Sequence, residues 1–324
     1  MQVRGCGMAF KLCESDKSGN TSGMRAVPAR PASRRPMVQM GLQATGMKVY
    51  LRKTQRRERF IKEFLMLHEN ELLGAKRILL KPNIVSYEEY PTTTHPETLD
   101  SCLELLHELF GRRAANGGAE IIVADGPAPD AGNSQKILGE HPLRAICAEF
   151  GVPLVDLLRS KMRKVKARTM SFSIAEQAFT FDFIISLPVL KTHKVATLTG
   201  ALKNQFGIFS KKDRVLFHTK IGKRRLKDIH RGIAEINAMV RPKIFIVDAV
   251  RTLINANERR HGGVVADLGY MLAGTHPVAL DVVGFSLLKR VARELEGMEA
   301  EGVPHIKYSA ELLGMPPKVE VVEF

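Results

Sequence analysis

The sequence predicts an α/β fold, an open and mostly parallel sheet with helices on both faces, in the manner of a Rossmann-like three-layer sandwich. Three observations predict it. Short apolar runs such as RILLK (77–81), EIIVA (120–124) and FDFIISL (181–187) are bounded by Gly, Pro or charged residues, as strands buried on both faces are. Stretches with helical apolar spacing lie between them and are long enough to be crossovers, which favours parallel neighbours. Each run then stops abruptly in polar residues, and in open α/β sheets ligands bind outside the carboxyl ends of the strands.

Residues 1–46 read as a disordered basic tail or a non-native extension before a start at Met47. Gly, Ser, Pro and Arg dominate there, and such composition cannot offset the entropy of ordering. From Met47 to residue 324 one α/β domain is expected, with its core over 76–295. A helix over 56–73 carries Phe60, Phe64, Leu67 and Leu72 at near-helical spacing, followed by the strand 77–81. A helix over 96–115 has Pro96 in its first turn, Gly117–Gly118 ends it, and 120–124 is the next strand. Helices over 133–138 and 142–150, an extended 153–156, and strands over 166–174 and 181–187 follow. Beyond the central segment the pattern gives a helix over 224–240, strands over 243–247 and 268–273, and a helix over 278–295.

The net charge of +15 favours anionic partners, although residues 1–46 hold seven Lys/Arg against Glu14 and Asp16. The four cysteines, Cys6, Cys13, Cys102 and Cys147, match no metal or redox spacing, so no iron–sulfur cluster is expected from this chain. Cys102 and Cys147 fall in apolar helical patterns as small hydrophobes, which points to a reducing, cytoplasmic compartment. No run approaches the roughly 18 apolar residues of a membrane span, and the N-terminus lacks the apolar core of a secretory signal.

The polar strand tips are Lys81-Pro82-Asn83, Asp125-Gly126-Pro127, the stretch from Lys191 to His193, and Asp248. If the strands are parallel neighbours these tips converge on one edge, although Asp-Gly-Pro and Lys-Pro-Asn are also ordinary turn chemistry. The richest segment is 187–207, LPVLKTHKVATLTGALKNQFG. There Thr199 and Gly200 precede a short helical stretch whose N-terminus suits an anion. Lys191 and Lys203 would add positive charge, and Asn83, Thr199 and Asn204 would bind and orient the ligand with Lys81. His193, with Lys191, would do the acid/base work, and Asp125 and Asp248 would position it or hold a divalent metal. Against this stands the plainer reading that the lysines are solvated and His193 caps a helix. His95, His218, His261 and His276 lie at a helix start, in a basic loop over 211–218, before Gly262-Gly263 and before Pro277. No dinucleotide, phosphate-loop, nucleophile-elbow or kinase pattern is present.

On these residues the chain resembles the domain of unknown function 362 family over 76–295. The resemblance rests on Lys81-Pro82-Asn83, the Thr-rich turn to Pro96, Asp125-Gly126-Pro127, and Leu187-Pro188 through Leu190-Lys191-Thr192-His193, Thr199-Gly200-Ala201 and Lys203-Asn204 to Phe206-Gly207. Asp248-Ala249 and Pro277-Val278-Ala279-Leu280-Asp281 match its later motifs. The resemblance implies no agreed reaction. Many members carry a ferredoxin-like iron–sulfur module, which this chain does not show. It departs at 255–263 (NANERRHGG), where the family has a Gly-rich turn, and at His276, where an acidic residue is common.

The expected function is an enzyme or enzyme-like protein that binds a small phosphate- or carboxylate-bearing ligand at the carboxyl ends of the sheet, with metal assistance possible. The alternatives are a nucleic-acid-binding protein, disfavoured by the 6% aromatic content, and an accessory protein of an iron–sulfur or redox system.

Overall fold

In the computed structural model, which describes residues 47–111, 118–222, 224–314 and 319–324, eight strands make one sheet. They are β1 (Met47–Lys53), β2 (Arg77–Pro82), β3 (Glu120–Asp125), β4 (Leu154–Asp156), β7 (Phe183–Leu187), β12 (Ile244–Ile254), β13 (Val264–Gly274) and β14 (Val319–Glu323). Three two-stranded pieces complete the set: β5 (Met162–Lys166) with β6 (Ser171–Ala175), β8 (Lys191–His193) with β9 (Thr197–Thr199), and β10 (Lys220–Ile221) with β11 (Arg224–Arg225).

The sheet order is β14-β1-β13-β12-β7-β2-β3-β4. From β12 to β4 every pairing is parallel, while β13 runs antiparallel to both β12 and β1. The fold is therefore α/β with a mostly parallel sheet. After β2 the chain adds β3 and β4 on one side, then crosses to place β7 and β12 on the other. That reversal opens a crevice at the carboxyl ends of β2 and β7, the place where such sheets bind ligands.

Alternation along the strands fixes the layers. Leu79, Ile122, Ile184 and Val247 face one core, whereas Ile78, Leu80, Val123, Ile185 and Ile246 face the other. The second core is closed by α1 (Arg57–Met66), α2 (Glu69–Gly74), α3 (Pro96–Gly111), α4 (Ser134–Glu140) and α5 (Leu143–Glu149). The first is closed by α6 (Gln177–Thr180), α7 (Ala201–Asn204), α8 (Lys211–His218), α9 (Ile229–Met239), α10 (Pro277–Leu288) and α11 (Pro304–Leu313). Each fully buried aliphatic side chain contributes about 1.5–3 kcal/mol relative to exposure, so both faces of β2 and β7 resist displacement.

Several expected elements differ. The helix expected over 56–73 breaks into α1 and α2 at Leu67 and His68, whose N–H groups bond three residues back to Phe64 and Leu65, and Leu67 is left exposed. The strand expected over 166–174 is the second half of a hairpin that turns at Ala167–Met170. The helix expected from 224 begins at Ile229, where Asp228 caps it by accepting from the N–H groups of His230 and Arg231. The stretch 211–218, read as a loop, is α8. The strands β1, β8, β9 and β14 and the helix α11 were not expected. Residues 1–46 lie outside the described residues, as do Cys6 and Cys13. No helix among the described residues is long and apolar enough to cross a membrane.

Candidate functional site

A cavity of about 590 Å³ opens at the carboxyl ends of β2, β3 and β7. Its lining includes Asn83, Asp125, Lys191, His193, Thr199, Lys203 and Asn204. Lys81 stands directly behind it and Asp248 does not reach it.

Lys81 and Asp125 form a fully buried ion pair, with Nζ 2.6 Å from Oδ1. Asp125 also accepts from the N–H groups of Ile84 (2.7 Å) and Gly126 (2.8 Å), so both its oxygens are engaged. Burial lowers the Lys81 ammonium from its ordinary range, and Asp125 opposes that shift. Gly207 is required here: a Cβ at that position would collide with the Asp125 carboxylate. Gly126 is confined in turn, since its Cβ would lie 2.6 Å from the Gly207 carbonyl.

Asn204 ties this corner to β7. Its Nδ2 donates to the Lys81 carbonyl (3.1 Å) and to Ser186 Oγ (2.9 Å), leaving a buried Oδ1 with no partner among the described residues. Asn83 also has an unpartnered Oδ1, while its backbone is fixed by Thr94, which bridges to the Leu187 carbonyl.

The chain does not leave the sheet at Pro188 as a loop. Val189 bridges Asp248, and the β8–β9 hairpin then carries Lys191, His193 and Thr199 into the cavity. Thr197 has φ 71°, a left-handed conformation that costs a β-branched residue on the order of 1–3 kcal/mol. His193 helps hold that turn: its Nδ1 accepts from the N–H groups of Val195 (3.0 Å) and Ala196 (3.1 Å). The neutral ring therefore carries its proton on Nε2. Burial keeps it neutral, with the cations Lys203 and Lys191 and the ring of His218 acting in the same direction.

Lys191 is fully buried and its Nζ donates to the Thr92 carbonyl. Burial lowers it to about 7. Lys203 is lowered to about 7 as well, first by burial and then by Arg214 and Lys191. Its ammonium lies 5.0 Å from the centre of the Phe206 ring and has no carboxylate or hydrogen-bond partner among the described residues. Arg214 donates from one terminal nitrogen to the carbonyls of Gly126 (2.6 Å) and Pro127 (2.7 Å), while its buried Nε has no partner among the described residues. Burial pulls its guanidinium down to about 10.

The acids of the cavity are occupied elsewhere. Asp125 pairs with Lys81, and Asp130 and Glu258 both pair with Arg260, at 2.9 and 2.7 Å. His218, at the mouth, sits with its ring centre 6.5 Å from that of His193. Its Nδ1 is 2.8 Å from the Arg214 carbonyl, which only accepts, so Nδ1 bears the hydrogen and Nε2 a lone pair. Desolvation lowers its pKa, and Lys203 and Arg214 add to the effect.

Two expectations need correction. The N-terminus of α7 is not an open anion site: Asp281 of α10 accepts from the N–H groups of Ala201 (2.6 Å) and Leu202 (3.2 Å), and Gly200 leaves just enough room for it. Burial raises that carboxyl to about 7. Asp248 is a fold element, because Arg57 (2.6 Å), Tyr90 (2.8 Å) and the N–H of Val250 (2.9 Å) surround it away from the cavity. With Asp125 also engaged, the two do not form a metal site, and no cluster of metal-ligating side chains occurs among the described residues. His95 and His276 cap helices, accepting from Glu97 and Ala279 N–H groups.

Arg214 and Glu258 were not anticipated. The signal for Arg214 was available: Ser210 and Asp213 have the spacing of a helix cap, and Ser210 Oγ does accept from the Asp213 N–H. The departure at 255–263 brings Asn257, Glu258 and His261 to the cavity.

The model of the domain of unknown function 362 matches residues 78–286. This chain belongs to that family. A thylakoid-associated protein, sll1697, of Synechocystis sp. (strain ATCC 27184 / PCC 6803 / Kazusa) is 23% identical over 260 residues, covering 79% of this chain and 73% of its own. Among solved structures, the lactate racemase apoprotein from Thermoanaerobacterium thermosaccharolyticum is similar at TM-score 0.42 and 18% identity, over 70% of this chain and 54% of that one. A Thermotoga maritima protein gives TM-score 0.37 and 12% identity over 79% and 59%. The domain-362 chain thus spans little more than half the length of either solved protein.

Proposed function

We propose that this member of the domain-362 family is an enzyme-like protein whose cavity binds a small ligand bearing a phosphate or carboxylate. One observation carries the reading. Lys191, Lys203 and Arg214 enter a single cavity without a salt-bridge partner among the described residues, while each acid lining it is paired with another cation. Removing positive charge from water without a counter-charge is costly, and an anion between Lys203 and the Arg214 guanidinium would relieve it. Asn83 and Asn204 supply orienting amides, Thr199 a hydroxyl, and Lys81 holds Asp125 in place. His193 donates from Nε2 and His218 accepts at Nε2, which equips the pocket to move a proton. The buried thiols of Cys102 and Cys147 suit a reducing compartment such as the cytoplasm.

Sulfate and phosphate titrations followed by calorimetry and thermal unfolding test this. Saturable binding by the wild type, lost in both Lys203→Met and Arg214→Met, is expected. Unchanged binding in the two folded variants would place the anion elsewhere. The nucleic-acid reading draws on the exposed Arg163, Lys164 and Lys166 of β5; it requires affinity for DNA or RNA that falls steeply with salt and survives both cavity substitutions.

A further inference from the structure

We infer that Lys203 is an imine-forming nucleophile, and that the ligand class is a small aldehyde or ketone carrying a carboxylate or phosphate. The inference rests on the anion-binding reading and adds a reaction centre to it.

The two lysines in the cavity differ in a way that matters chemically. Lys191 is anchored by its hydrogen bond to the Thr92 carbonyl inside β8. Lys203 has the face of Phe206 beside it and no hydrogen-bond partner among the described residues. A lysine attacks a carbonyl as the free amine, and enzymes obtain that form by desolvation and by neighbouring cations. Both conditions bear on Lys203: its side chain is half-buried in the cavity lining, and Arg214, Lys191 and Lys81 push against its charge while Glu258 acts the other way. Arg214 lines the same cavity without a salt-bridge partner among the described residues, so its guanidinium gives the anionic end of the ligand a charge to bind against. The cavity, at about 590 Å³, admits a small ligand rather than a polymer.

Acid and base for the step are present. The Lys203 nitrogen forms a C–N bond to the carbonyl carbon as the C=O π pair moves to oxygen, steadied by the His193 Nε2–H. The Lys191 ammonium protonates that oxygen, and His218 Nε2 takes a proton from the new C–N nitrogen. The resulting carbinolamine returns its His218 proton to the hydroxyl, water leaves, and the nitrogen lone pair closes the C=N bond. Release of the iminium proton to the Lys191 amine restores the starting charges. Amine and carbonyl become imine and water, with no oxidant or reductant.

Reductive trapping tests it on the full chain. Pyruvate and glyceraldehyde 3-phosphate are each incubated with the protein and borohydride near neutral pH, with acetone as the uncharged control, followed by intact mass and peptide mapping. The expected result is one adduct, on Lys203, at least tenfold above acetone, suppressed by sulfate and absent in Lys203→Arg, which keeps a positive charge at that position. Trapping with pyruvate alone assigns a carboxylate ligand; trapping with the phosphate compound alone assigns a phosphate ligand. Label spread over surface lysines, or equal in Lys203→Arg, overturns the inference. Sulfate binding with no trapping by either probe overturns the imine and leaves the anion site standing; loss of both removes the parent reading too. If Lys203→Arg does not fold, the position of the label in the wild type decides.

Discussion

Lys81, fully buried behind the cavity, and Lys203, half-buried in its lining, carry charges that the protein treats in opposite ways. Lys81 is matched by Asp125 at 2.6 Å, and backbone N–H groups from two further residues complete that carboxylate. Lys203 meets an aromatic face and three other cations, with Glu258 acting the other way from beyond salt-bridge distance. The first arrangement joins β2 to β3 and holds the floor of the site. The second stores unfavourable electrostatics where a ligand can relieve them. A charge withdrawn from solvent serves the fold when its partner is built in, and serves binding when its partner must arrive from outside.

The contrast can be broken most strongly at Asp125. Asp125→Ala strands the Lys81 ammonium and two N–H groups, and should cost about 3–5 kcal/mol, read from urea denaturation. Lys203→Met should leave stability within about 1 kcal/mol of wild type or raise it, since a cation without a counter-charge is replaced by an apolar side chain of similar shape. A loss as large as that of Asp125→Ala would show that Lys203 has a structural partner after all.

Acidity sharpens the same comparison. Lys203 titrates near 7 in the fold against 10.5 for an ordinary lysine. Between those values the unfolded chain holds a proton that the folded chain has released, so stability rises with pH across about 7 to 10.5 and the penalty is complete below 7. Lys203→Met should flatten that slope. Sulfate, whose charge is constant there, should bind with proton uptake and lose affinity above pH 7; calorimetry in buffers of different ionisation enthalpy reads the protons, and no uptake would contradict the lowered lysines. The smallest effect belongs to Asp281→Asn. The amide still accepts one of the two α7 N–H groups, so a loss of about 1 kcal/mol is expected, with sulfate binding retained.

Much of this was legible in the chain itself. The runs 77–81, 120–124 and 181–187 became β2, β3 and β7 because continuous apolar sequence between turn residues can be buried only between two layers. The tips at Lys81, Asn83, Asp125, Lys191, His193, Lys203 and Asn204 were named from polarity after a strand, and the structure brings them to or directly behind one cavity. Asp248 had the same local pattern and a different fate. Its strand continues to Ile254, so it is not a tip, and Arg57 from the far end of the sequence reaches it. The α7 N-terminus likewise looked open until α10 supplied Asp281. Strands β1 and β14 escaped notice because only Val49 of β1 is buried and no residue of β14 is.

Sequence alone determined the class of fold, the strands at its centre and the polar segment over 187–207, since these depend on apolar runs and breaker residues that act locally. Tertiary structure alone decided which charges are paired. The partners of Asp248, Asp281 and Asp125 come from 191, 80 and 44 residues away. Pairing turns on approaches of a few ångströms, which local sequence does not encode. That is why the lysines could be named from the sequence, while the difference between Lys81 and Lys203 could not.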